Sequence, residues 1–91
     1  GMAFIYDLND EFEKRVNPES VVWQKPETKY WINCLKNLIE EHHRETNSNL
    51  SKKIIDNFDK EIYNFIQVCP KEMINKLENP ITDKINIKEV S

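Results

Sequence analysis

WINCLKNLIEEHHRETNSN, Trp31 to Asn49, decides how the chain folds. Trp31, Cys34, Leu35, Leu38, Ile39 and His42 recur at steps of three and four residues, which puts them on one face of a helix. Pro26 suits the first turn, so the helical pattern runs from Glu27 onward. Its stop is legible too. Asn47 tolerates the left-handed backbone that closes a helix, and Ser48 can cap the next one. A second stripe at Ile54, Ile55, Phe58, Ile62, Phe65 and Ile66 predicts a second helix, and with it an antiparallel hairpin joined at Thr46 to Asn49.

Working outward, Pro18, Pro26, Pro70 and Pro80 divide the chain. Upstream, MAFIYD is apolar and aromatic enough for a strand, LNDE turns the chain back through Phe12, and SVVWQ at Ser20 to Gln24 reads as a second short strand. Downstream, Pro70 opens a short third helix, KEMINKL, that Asn79 and Pro80 end. In the tail, Ile85 and Ile87 stand two apart, which suits an extended segment. The expected fold is mainly α with a small β part. Residues 1–25 form an N-terminal strand segment, 26–79 the hairpin and third helix, and 80–91 an extended tail.

A chain of 91 residues is at most one small domain, with little room for a large catalytic cleft. Thirteen basic against sixteen acidic residues give a net charge of -3, and the basic pairs Lys14–Arg15 and Lys52–Lys53 stand within mixed charge, so no nucleic-acid partner is expected. No apolar run reaches the roughly 20 residues of a membrane span, and MAFIY lacks the basic lead of a signal peptide, so the expected location is the cytoplasm with no membrane partner. Cys34 and Cys69 lie far apart without a CxxC, which suits a reduced pair in apolar sites.

The paired histidines invite a metal reading together with Cys34. Consecutive helical residues point about 100 degrees apart, whereas zinc-binding helices place ligands at i and i+4. His42 and His43 therefore cannot jointly grip one ion. His42, on the apolar stripe near the helix end, is expected to pack against the second helix and to cap a final carbonyl. Glu40, Glu41 and the run Asp56 to Glu61 read as solvated helix faces with local ion pairs. Trp23, Tyr30 and Trp31 read as core anchors, since no basic residues interleave them. With one glycine, at position 1, no loop can cradle a phosphate. No catalytic, cofactor-binding or metal site is expected, and no cofactor.

The order of these pieces resembles the extreme C-terminal end of the glutamate synthase large subunit. The resemblance rests on GMAFIYD at Gly1 to Asp7, Phe12, RVNPESV at Arg15 to Val21, LKNLIEEHHRETNS at Leu35 to Ser48, IIDNF at Ile54 to Phe58 and FIQVCP at Phe65 to Pro70. It places the family's single histidine on His42. Departures are Phe58 in place of a usual Trp, Asn47 in place of Gly and Tyr63 in place of a common Pro. The family's glutamine hydrolysis and its FMN and iron–sulfur chemistry belong to regions with no counterpart here. The resemblance thus implies a fragment, a split-gene product or a stand-alone copy of a non-catalytic end, formed by the last strands of a β-helix and a helical appendix.

The expected function is a non-catalytic structural or assembly module related to glutamate biosynthesis, and the alternative is a free-standing protein–protein interaction domain. A small metalloprotein built on His42, His43 and Cys34 is the third reading. The expected partners are the remaining glutamate synthase subunits or domains. An edge at Met2 to Tyr6 can also recruit a second copy, giving a homodimer through the N-terminal strand, or pair internally with residues near Val22 or Ile85.

Overall fold

A computed structural model describes residues 2–82. The elements run β1 (Ala3–Tyr6), α1 (Phe12–Arg15), β2 (Val21–Gln24), α2 (Lys29–Thr46), α3 (Asn49–Asp56), α4 (Phe58–Glu61), a 3-10 turn (Ile62–Asn64), β3 (Phe65–Pro70) and a second 3-10 stretch (Lys71–Lys76). The fold is mainly helical with a small antiparallel sheet, as the sequence pattern predicts.

The junction between α2 and α3 forms where the sequence placed it. Asn47 takes φ 53° and ψ 36°, its N–H donates to the His43 carbonyl at 2.7 Å, and the Ser48 hydroxyl accepts from the Ser51 amide at 3.3 Å. Thr46 donates its hydroxyl to the His42 carbonyl at 2.8 Å. Thus the His42 and His43 carbonyls of one helix and the Ser51 amide of the next find partners at the junction. At its other end α2 starts at Lys29, two residues later than the periodicity suggests, because Thr28 caps it through the Trp31 amide.

Upstream, the two carboxylate oxygens of Asp7 accept from the amides of Glu11 and Phe12, which starts α1. Asn17 then organises the NPES turn. Its side-chain oxygen accepts from the Glu19 amide at 3.1 Å, and its carbonyl accepts from Ser20 and Val21 as β2 begins.

The second helix stops early. The expected helical stripe through Phe65 and Ile66 gives way there to β3, the central strand of the sheet in the order β1-β3-β2. Ala3 to Tyr6 pair antiparallel with Val68 to Phe65, and Val21 to Gln24 with Pro70 to Gln67. Pro70 can end this strand because a terminal position makes no demand on a proline N–H. Two further expectations change with it. Among the described residues the N-terminal strand pairs with β3 rather than with Val22, and the third helix is the 3-10 stretch at Lys71–Lys76. The expected extended segment at Ile85 and Ile87 lies outside the described residues.

Alternation assigns the two faces of the sheet. Phe4, Tyr6, Phe65, Gln67 and Cys69 share the face under the helices, where Phe65 joins Leu35, Ile54, Phe58 and Ile62 in the main core. Burying one such side chain fully contributes roughly 1.5–3 kcal/mol. The opposite face carries Ile5, Ile66, Val68 and Trp23, and Phe12 of α1 meets Trp23 edge-on with ring centroids 6.1 Å apart.

Candidate functional site

A groove of about 710 Å³ opens where β1 meets α2 and α3. Its lining is mainly apolar, from Phe4 on β1 and Met2 just before it, Trp31, Leu38 and Ile39 on α2, and Leu50 and Ile54 on α3. Leu38 and Leu50 stand at its mouth with 54% and 51% of their surfaces exposed. Beside the groove, β1 is an edge strand whose outer side has no strand partner among the described residues.

A partly buried polar cluster around Glu61 fixes that strand. The Tyr6 hydroxyl donates to Glu61 Oε1 at 2.8 Å, Asn64 Nδ2 donates to the same oxygen at 2.8 Å, and Lys53 Nζ lies 3.8 Å from Glu61 Oε2. The Asp7 amide extends the hold by donating to the Asn64 carbonyl at 2.7 Å. Glu61 is only 8% exposed, which corrects its expected place on a solvated face. Hydrogen bonds from Tyr6 and Asn64 draw its carboxyl below the usual carboxylate value, while burial and the adjacent Glu61 raise the Tyr6 phenol. Asp56, by contrast, does form an exposed local pair, with Lys52 at 3.0 Å.

The histidines part company. His42 is exposed at the rim of the groove, so its expected burial against the second helix is not realised. It is His43, half-buried, whose Nδ1 comes within 3.3 Å of the Ser48 carbonyl. Cys34 lines the groove from the upstream part of α2, and both it and Cys69 are free thiols. Among the described residues no three His, Cys, Asp or Glu side chains converge to hold a metal ion. Trp31 is half-buried and donates Nε1–H to the Asn79 carbonyl at 2.8 Å, whereas Tyr30 is 48% exposed rather than a core anchor.

Sequence reasoning missed Leu50 and Glu61. Leu50 lies four residues before Ile54, in phase with the Ile54–Phe58 stripe, and that spacing was the available signal. Glu61 could have been noticed only as the acid four residues before the buried Phe65.

Residues 1–71 match the family described as GXGXG motif. The chain belongs to that family. This GXGXG motif chain, with its single glycine, does not itself contain the repeated glycines of the description. It is 44% identical over 80 residues to the glutamate synthase [NADPH] large chain of Azospirillum brasilense, a match covering 88% of this chain and 5% of the relative. It is 28% identical to glutamate synthase [NADH] of Schizosaccharomyces pombe over 99% of this chain and 4% of the relative. With the ferredoxin-dependent glutamate synthase of Pyropia yezoensis it shares 36% identity, over 82% of this chain and 5% of the relative. The family's residues here thus correspond to a small part of glutamate synthases, as the motif resemblance implies. Among the described residues no helix is long and apolar enough to cross a membrane.

Proposed function

We propose that this chain is a non-catalytic structural module of a glutamate synthase, docking through the Leu38–Leu50 groove and the β1 edge onto the remaining domains of that enzyme. The observation that carries the reading is an apolar groove with two half-exposed leucines at its mouth, laid along an edge strand held in place by the Tyr6–Glu61 bond. Apolar patches and bare strand edges are surfaces that other polypeptide segments cover. A second support is the ratio of the matches: most of this chain corresponds to 4–5% of each relative, so in those proteins the same residues have a much larger chain to pack against.

The test is coexpression of the chain with a glutamate synthase large chain from which the corresponding stretch has been deleted. A stable complex is expected for the natural sequence, and Leu38→Asp with Leu50→Asp is expected to weaken it at least about tenfold without changing the melting temperature, because both side chains are already half exposed. Failure of the natural chain to associate, or equal association by the double variant, overturns the proposal. Light scattering of the chain alone at micromolar concentration supplies the control. A dimer broken by the same two substitutions would reassign the groove to a second copy.

A further inference from the structure

The sheet has a second edge, on β2. The Lys71 amide donates to the Ser20 carbonyl at 3.0 Å, so Ser20 faces β3, and antiparallel alternation turns Val22 and Gln24 the same way. Val21 and Trp23 therefore direct their backbone groups outward. The Val21 amide accordingly donates to the Asn17 carbonyl at 3.4 Å, outside the sheet, while Trp23 has no strand beside it on that side among the described residues. The side chains of Val21 and Trp23 lie on the sheet face away from the helices, where they and Val68 of the central strand are half-buried. The described chain arrives at this same strand. Ile81 is 4% exposed, and its carbonyl accepts at 2.6 Å from Nε2 of Gln24, the last residue of β2. Residues 83–91 follow, reading DKINIKEVS, and in them Ile85 and Ile87 alternate with Lys84, Asn86 and Lys88.

We infer that residues 84–88 add to the outer edge of β2 as a fourth, antiparallel strand, with Ile85 beside Trp23 and Ile87 beside Val21. Position favours this occupant. The steps from Ile81 to Ile85 reach up to roughly 13 Å, well beyond the roughly 5 Å between neighbouring strands, and a chain that turns back at Gln24 runs antiparallel to β2. Pattern favours it too. Residues opposite one another in an antiparallel pair share a face, so both isoleucines join Val21, Trp23 and Val68 on the second face. Lys84, Asn86 and Lys88 take the other side, and lysines on an outermost strand discourage further addition. Tethering completes the case. The Gln24 bond to Ile81, and the bond from Trp31 Nε1 to the Asn79 carbonyl at 2.8 Å, hold the start of the segment near the edge, so its pairing is intramolecular and outcompetes a strand from another molecule at micromolar concentration. Trp23 exchanges both backbone bonds with Ile85. The Val21 carbonyl accepts from Ile87, and the ladder stops there because the Val21 amide is committed to Asn17.

Amide hydrogen exchange of the full chain, read by NMR at two protein concentrations, tests the strand. The Trp23 amide should be protected to the same degree at both concentrations and should show an amide–amide contact with Ile85. Ile85→Ser with Ile87→Ser should raise its exchange rate at least about tenfold, while the Ile5 amide, in the ladder between β1 and β3, keeps its rate. Trp23 exchange as fast as that of an unstructured peptide overturns the inference in the parent protein alone, whether or not the variant folds. Protection that survives in the folded double variant overturns it as well, and protection that grows with concentration assigns the edge to a second copy instead. The groove and the β1 edge take no part in this measurement, so its outcome is independent of the docking proposed above.

Discussion

The Tyr6 hydroxyl and the Glu61 carboxylate meet at 2.8 Å across 55 residues of sequence, tying the first strand to the end of the helical region. Their opposite shifts define a pH window. Glu61, lowered from 4.5 in the fold, contributes stability that is present above its unfolded value and lost as pH falls through the folded one. Tyr6, raised from 10.0, contributes stability that is present below its unfolded value and lost as pH rises through the folded one. Tyr6→Phe should lower the melting temperature by several degrees at pH 7 and flatten both limbs of the stability profile. Parallel profiles for the two proteins would show that the bond does not couple to folding.

Substitution of the histidines should reverse the order that the helical stripe alone suggests. His43→Ala removes the group within 3.3 Å of the Ser48 carbonyl and should cost roughly 0.5–1 kcal/mol. His42→Ala changes an exposed rim residue and should stay within about 0.5 kcal/mol. Urea titrations of the two variants decide it, and a larger loss at His42 would place its side chain in the core.

Gln67→Met keeps the side-chain length and removes the unpaired oxygen. Stability should rise by about 1 kcal/mol, since a buried acceptor without a donor is worse than an apolar group of the same shape. A loss of similar size in chemical denaturation would mean that the amide is satisfied in solution.

Asn47→Gly tests the junction. At φ 53° a side chain is disfavoured, and glycine removes that penalty, so the hairpin should gain a few tenths of a kcal/mol, whereas Asn47→Val should lose about 1–2 kcal/mol. Thermal melts in which valine matched asparagine would contradict the left-handed cap.

The hairpin junction was legible because Asn47 and Ser48 each have a local chemical reason to end and to begin a helix. β3 was hidden for an equally local reason. Phe65 and Ile66 fall in phase with Ile54, Phe58 and Ile62, and a short apolar run does not distinguish helix from strand by itself. The alternation that should reveal a strand is also masked, since the inward face of FIQVC holds the polar Gln67 while its outward face holds Ile66 and Val68. The absence of a glycine loop and the angular separation of the histidines were plain in the sequence. The groove was not, because it depends on how β1, α2 and α3 come together in space. Leu38 belongs to the same stripe as Leu35, yet one is 54% exposed and the other 2%.

The middle strand of the sheet is the last of the three to be synthesised. β1 and β2 have no partner until Phe65–Pro70 has emerged, so the sheet cannot nucleate on its early strands and has to wait for a late, distant segment. The α2–α3 hairpin can form in the meantime from contacts close in sequence. Loop closure over this span slows the final step relative to an all-local helical protein. Refolding should therefore give a fast helical phase followed by a slower one in which Trp23 and Tyr6 report the sheet, and slowing the chain's emergence after Asp56, before β3 is available, should delay the sheet more than slowing it after Pro70.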